Sequence, residues 1–537
     1  ADYLFWLQNG LIWSYNFHHE ESIECFRRAL AINPQSAMAH WGKSCSNGPN
    51  YNAPCMNRDS FPSASDAYHH AKEAGRLAAL PEIRSTLSEV EVDLIQALQC
   101  RFNPIEGIEA LQVEQNASLY ADALKIVYEK HPLVPCVVCA YAEALMNFAP
   151  WKLWDLDTGT PLGRTPEIRA LLEEGLALAP SHPGMNHFYI HLMEMSAEPA
   201  VALPSCATLR TVCPDAGHLV HMPSHIYALL GMWEEAVQSN EEGHRGDEIY
   251  RAQAGLMNSY TGYRLHNIHF ICYAAMMVGQ YKVALSGARR LHENLPERVV
   301  SDPALGPFFE AFCSVDMHVM IRFGKWEDIL STSIPANPKV WPYRTATVRY
   351  ARGITHAITG DVKAAREELA YFRAAAVEMP GTYTLHNNLC VDTLQVAEAM
   401  LVGELEYRAG NMKVAFDNLR RAVDLCDQLN YDEPWGWMQP PRHALGALLL
   451  EQGDVEEAEA VFRKDMDSTY YGRCHPDNVW ALTGLAACLR QRLDCSRGCA
   501  AKRITEELKE IDRKLAVLKR SADVDIEVAC MCAGMAP

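Results

Sequence analysis

Five histidines fall in two short stretches, MNHFYIHLMEM at 185–195 and GHLVHMPSHIY at 217–227. His187 and His191 are four residues apart, and so are His221 and His225. Residues so spaced on a helix stand one above the other, with about 5–6 Å between Cβ atoms. Two imidazoles placed that way can grip one transition-metal ion from two sides. A second pair from a neighbouring helix completes a four-coordinate set, which His269 extends. His218, His266 and His318 are candidates for supporting hydrogen bonds or for a second ion. Glu194 lies three residues past His191 on a different face, and Asp215 precedes a turn, so neither makes a two-His-one-carboxylate triad. Imidazole alone favours copper, with zinc and iron as alternatives. In the competing reading the histidines bond carbonyls and one another, or hold an acidic peptide.

Two further groups suit a small organic substrate. SYTGYRLHNIHF at 259–270 supplies Tyr263, Arg264 and Asn267, and YDEPWGWMQPPRHALG at 431–446 supplies Trp435, Trp437, Gln439, Arg442 and His443. Aromatic rings beside Arg suit an organic anion or a flat ring. Plain packing between repeats accounts for the second group equally well. His18, His19 and Glu20 lie at a first turn, where they cap a helix. Cys136 and Cys139 form a C-x-x-C with no matching second pair, which reads as core cysteine on a helix rather than a zinc or redox site. The chain has no phosphate-binding loop, dinucleotide glycine fingerprint or G-x-S-x-G elbow.

The elements that must position these groups are helices. KRITEELKEIDRKLAVLKR and EEGHRGDEIYRAQAG are rich in helix formers with apolar residues three and four apart, and strand signals are nearly absent. The 537 residues carry a net charge of −19 and no basic stripe, which argues against nucleic-acid binding. No uncharged apolar run is long enough to span a membrane, and no signal peptide is visible. The 18 cysteines are scattered through apolar, helix-like segments, as expected for free thiols in a reducing, cytoplasmic setting.

A small-residue turn followed by Ala five positions later recurs along the chain. Gly231 leads to Ala236, Gly279 to Ala284, Gly360 to Ala365, Gly410 to Ala415 and Gly453 to Ala458, while Gly324 has Ile329 at the fifth place. Glycine lets a helix stop and turn, and a small residue lets the next helix pack close. In ESIECFRRALAINP, Phe26, Ala29 and Pro34 mark a second helix and its stop. These patterns resemble the tetratricopeptide repeat family over most of the chain, with spacings of 36 to 50 that exceed the usual repeat of about 34. FHHEESIECFRRAL, AHWGKSCSNGPNYNAP, HFYIH and GHLVHMPSHIY are similar to a subfamily of long tetratricopeptide proteins of bacteria and fungi.

The resemblance implies an all-α fold: a tetratricopeptide-type solenoid of about a dozen helical hairpins, curling into a superhelix with an enclosed concave cavity lined by first helices. The expected order is one solenoid over 1–537: an N-terminal repeat (1–45), an irregular loop or lid (46–66), padded repeats (67–180), His-rich repeats with the metal site (181–300), further repeats (301–500), and a C-terminal helix and tail (501–537). Counted back from each turn, the histidines share rungs. His187, His221, His269 and His443 lie ten before Ala197, Gly231, Gly279 and Gly453, and His191, His225 and His318 lie six before Ala197, Gly231 and Gly324. The expected function is a copper-dependent oxidoreductase using dioxygen on a small organic molecule inside the repeats. The alternatives are a zinc-dependent hydrolase or lyase, and a non-enzymatic scaffold that binds a partner peptide.

Overall fold

The structure is a computed structural model that describes residues 2–53, 64–102 and 110–534. The chain forms two compact units: Ala1–Ile226 with Glu242–Arg264, and Tyr227–Glu241 with Leu265–Pro537. Both are built from helices. Among the described residues the only strands are Thr384–Leu385 and Asn388–Leu389, which pair antiparallel as a tight hairpin.

In the second unit the repeat is visible in the backbone. Gly231, Gly279, Gly324, Gly360, Gly410 and Gly453 all take positive φ, between 62° and 88°. The residue after each donates its N–H five residues back, Met232 to Tyr227, Gln280 to Ala275, Lys325 to Met320, Asp361 to His356, Asn411 to Glu406 and Asp454 to Leu449, at 2.8–2.9 Å. This is the bond that closes a helix ending in a left-handed residue, the position glycine fills without strain. Five residues after each glycine stands a side chain with 0% exposure: Ala236, Ala284, Ile329, Ala365, Ala415 or Ala458. The results are tetratricopeptide-type hairpins such as Pro342–Ile358 with Val362–Val377, Cys390–Arg408 with Met412–Asp427, and Pro441–Glu451 with Val455–Asp465.

The first unit pairs Asp2–Tyr15 with His19–Ile32, Ala37–Ser46 with Ala64–Ala78, and Thr165–Leu178 with Pro183–Met193. An aromatic ring wedges between hairpins in the same way in both units. A Cβ at Gly10 or Gly42 would come within 2.7 or 2.3 Å of the Phe26 ring, and one at Gly446 or Gly484 within 2.6 or 2.3 Å of Phe462. Each glycine leaves room for a ring from the neighbouring helix, which is fully buried there.

Of the irregular stretch expected over 46–66, residues 54–63 lie outside the described residues. Asn50 and Ala53 bridge within the part that is described, and the helix Ala64–Ala78 begins before its end. Among the described cysteines 15 are free, including Cys136 and Cys139, while Cys530 and Cys532 are joined in a disulfide, a departure from the expectation of free thiols throughout. No helix among the described residues is long and apolar enough to cross a membrane.

Candidate metal centre

The centre lies in the first unit and begins at its first turn. The helix Asp2–Tyr15 ends as the glycine turns of the other unit do, with His18 N–H bonding Trp13 O at 3.0 Å, but the left-handed residue is Phe17, at φ 55°. A bulky side chain in that conformation costs roughly 1–2 kcal/mol and persists only where the surroundings hold it. What holds Phe17 is a set of rings. Its ring lies 4.6 Å from that of His187, 6.2 Å from His191 and 6.0 Å from His218, centroid to centroid.

His187 and His191 project from the helix Pro183–Met193, which starts with a proline and is capped by His182, whose Nδ1 accepts the Met185 N–H. His187 Nδ1 donates to the Tyr15 carbonyl at 2.6 Å, one of the end carbonyls that the first helix cannot satisfy itself. A ring that donates through Nδ1 carries its lone pair on Nε2. His191 is fixed the same way, with Nδ1 3.0 Å from Glu194 Oε1. Both Nε2 atoms are buried and make no hydrogen bond.

His218 comes from the short helix Gly217–His221. Two distant side chains meet the unpaired N–H groups at its start, the Tyr260 hydroxyl at 2.8 Å from His218 N and Asn16 Oδ1 at 2.9 Å from Leu219 N. Its close seating requires glycine, since a Cβ at Gly217 would fall 1.9 Å from Asp247 Oδ1. Neither ring nitrogen of His218 has a hydrogen-bond partner. His187, His191 and His218 offer ligand atoms within 4.8 Å of one another, a spacing one metal ion can bridge.

The sequence suggests one helix through His221 and His225. Instead the chain runs as two, Gly217–His221 and Pro223–Leu229, because Pro223 has no N–H to continue the first. The pair still meets, with Nε2 atoms 2.8 Å apart. His225 Nδ1 lies 2.7 Å from Glu194 Oε2, so His225 Nε2 carries a lone pair and accepts from His221. His221 Nδ1 has Ser224 Oγ at 3.4 Å. Glu194, fully buried at the end of its helix, thus orients two imidazoles, and His191, Glu194 and His225 make a second group able to hold an ion. The sequence places Glu194 on a different face from His191. The one-turn step past His191 that seemed to remove it brings its carboxylate back to the ring.

The site is dry. His187, His191, His218, His221 and His225 are each 3% exposed or less. Burial holds His187 and His218 well below the ordinary imidazole range and brings His191 to about 3. All three rings are therefore neutral near pH 7, the form that binds metal. Tyr51, within the stretch expected to form a loop or lid, sets its ring 4.8 Å from His191, and Tyr263 sets its ring 4.6 Å from His218. His18 stacks on Tyr260 at 3.9 Å.

The remaining candidates go elsewhere. Arg264 donates to the Leu256 carbonyl, at 2.6 Å. His266, Asn267, His269, His318, Trp435, Trp437, Arg442 and His443 belong to the second unit. There His269 Nδ1 lies 3.2 Å from Nε2 of His386, which sits at φ 49° on the tip of the strand hairpin, and the His266 ring is 4.9 Å from the same His386. His318 packs against Trp437 at 4.7 Å. Trp435 donates to Gly472 O at 2.9 Å. Arg442 is spent on a two-pronged pair with Asp427, at 2.7 and 2.5 Å. His443 Nε2 meets Asp465 Oδ2 at 2.8 Å, and that carboxylate also takes His475 Nδ1 at 3.0 Å.

No family model matches the chain, and no curated protein matches it. Solved structures do. The yeast Tom70 crystal structure has a TM-score of 0.30 at 12% identity, covering 94% of this chain and 92% of that one. The human IFIT1 dimer with m7Gppp-AAAA has a TM-score of 0.33 at 10% identity, covering 94% and 87%. Likeness at this level says nothing about the chemistry of the histidines.

Proposed function

We propose that the first unit binds copper through His187, His191 and His218, and that the chain is a copper-dependent oxidoreductase acting with dioxygen on a small organic molecule. The observation that carries the reading is the fixed tautomers: Tyr15 O and Glu194 hold Nδ1 of His187 and His191 and leave their Nε2 lone pairs free, and the two residues and His218 offer ligand atoms within 4.8 Å of one another. Neutral imidazoles favour copper over zinc in the usual affinity order. Bound copper would supply one-electron chemistry with dioxygen. Phe17, Tyr51 and Tyr263 exclude water around the rings, and Glu194 sets the donor direction of His191 and His225 and places a carboxylate that offsets the charge of a cation. The similarity to long tetratricopeptide proteins of bacteria and fungi and a cytoplasmic setting belong to the same reading. Among the described residues the 15 free cysteines support the setting, and the Cys530–Cys532 disulfide does not.

The test is elemental analysis of purified protein, followed by reconstitution of stripped protein with copper or zinc and oxygen-uptake measurements on a panel of small phenols and amines. Stoichiometric copper, lost in His187→Ala, with oxygen uptake restored by copper alone, is the expected result. Equal restoration by zinc without oxygen uptake points to a hydrolase or lyase. A chain that holds no transition metal even after incubation is a scaffold, and the proposal is then wrong.

A further inference from the structure

Arg322 ends the helix Val315–Arg322 in the second unit, and only 4% of it is exposed. Its Nε and Nη2 are buried and make no hydrogen bond. An unpaired guanidinium edge in a protein interior is costly, and such groups are almost always met by a partner, an ordered water or a ligand. The open edge has a particular shape. Nε and Nη2 are the two groups with which Arg27 holds Glu24, Arg164 holds Glu167 and Arg420 holds Glu457 in this same chain, each pair at 2.6–2.8 Å. It is the side of a guanidinium that receives a carboxylate.

The surroundings repeat the demand for an acceptor. Tyr273, Tyr350 and His318 all lie close enough to feel the Arg322 charge. The Tyr273 hydroxyl has 0% residue exposure and no partner. Trp437, whose ring lies 5.6 Å from Tyr350 and 4.7 Å from His318, has a buried Nε1 without a partner, and an indole N–H can only donate. Trp480 covers the guanidinium, 4.8 Å from ring centroid to carbon. The Asp465 carboxylate is also near enough to act on Arg322, which disfavours a doubly charged guest.

We infer that the second unit binds a small, flat carboxylic acid as its monoanion, with the carboxylate on Nε and Nη2 of Arg322, hydrogen bonds from Tyr273 and Trp437, and its ring among the aromatic side chains. The site needs no metal and stands independently of the copper reading. Among the sequence candidates it keeps Trp437 but replaces Arg442, already paired with Asp427, by Arg322.

Benzoate is the probe, titrated into the full chain and followed by tryptophan fluorescence and calorimetry, with inorganic phosphate in parallel. Expected is one benzoate per chain, weakened about tenfold or more in Arg322→Lys, which keeps the charge but loses the fork, and several-fold in Tyr273→Phe, with phosphate much weaker. Tyr273→Phe removes an unpartnered hydroxyl and keeps the fold, so it decides the matter if Arg322→Lys does not fold. The inference is overturned if benzoate does not bind below about 10 mM, well beyond ordinary small-ligand affinity, if neither variant weakens it, or if phosphate binds more tightly.

Discussion

His191 and His225 share one carboxylate: Glu194 takes Nδ1 of the first on Oε1 at 3.0 Å and Nδ1 of the second on Oε2 at 2.7 Å. Two acceptor oxygens are required, and glutamine has one oxygen and one NH2 group. In Glu194→Gln one imidazole must either turn or adopt the other tautomer, which aims an N–H at the metal position. Copper affinity of the variant, measured by competition titration, is expected to fall by about 10–100-fold while the circular dichroism stays native. Unchanged affinity would mean that Glu194 does not set the ring direction.

His218 gains nothing from its polarity in the metal-free protein, since both ring nitrogens are buried without partners. Removing both the buried polar atoms and their cost leaves stability equal or improved when the shape is kept. His218→Leu should therefore unfold at or above the native temperature in chelator, yet bind less copper and lose the metal-dependent rise in that temperature. His187→Leu is the contrast, because it strands the Tyr15 carbonyl and should cost about 1–3 kcal/mol. Should His218→Leu unfold markedly earlier, the ring has a packing role and the site loses one of its three donors.

How much of this was legible in the sequence differs by residue. The glycine turns and their following alanines were fully legible, because both requirements are local: a left-handed backbone position and a side chain small enough to bury at a helix crossing. The histidine rungs were legible as periodicity, and His187 and His191 do meet. The third donor, His218, stands off the repeated rungs, so periodicity marks it only as a neighbour of His221. It lies three residues before His221, and the break at Pro223 that seats the short helix Gly217–His221 by itself is not visible in the spacing of the histidines. His269 follows the same rung as His187 but lies in the other unit, against His386. Phe17 is separated from His187 by 170 residues, so only its glycine-like place in the first turn, read against the other turns, could have marked it.

The turns themselves make a graded prediction. Gly410 has φ 81° and open space where a Cβ would go, whereas at Gly279, φ 79°, a Cβ would come within 2.4 Å of Ile526 Cδ1. Gly410→Ala should cost about 1 kcal/mol for backbone strain alone. Gly279→Ala adds displacement of a buried side chain and should cost a further 1–3 kcal/mol, roughly. Chemical denaturation of the two variants checks the order, and an equal loss at both would refute the packing assigned to Ile526.

Acid should weaken the fold through histidines buried in their neutral form. His18 is 1% exposed, its Nδ1 faces the Glu21 N–H as a helix cap, and burial brings it from 6.5 to about 3. His318, 3% exposed, is brought to about 4. The unfolded chain takes up these protons near pH 6.5 and the folded chain does not until far lower, so between those values the unfolded state binds more protons and stability falls as pH falls. The contribution is complete above pH 6.5 and is lost progressively down to about pH 3–4, at about 1.4 kcal/mol per pH unit for each such group. The unfolding temperature of metal-free protein should therefore drop steadily from pH 7 to pH 5. His18→Asn keeps an oxygen to cap the helix and removes one titrating ring, so its unfolding free energy should fall less steeply with acid, by about one proton in the slope. A slope identical to that of the wild type would show that His18 is not the neutral, buried cap described here.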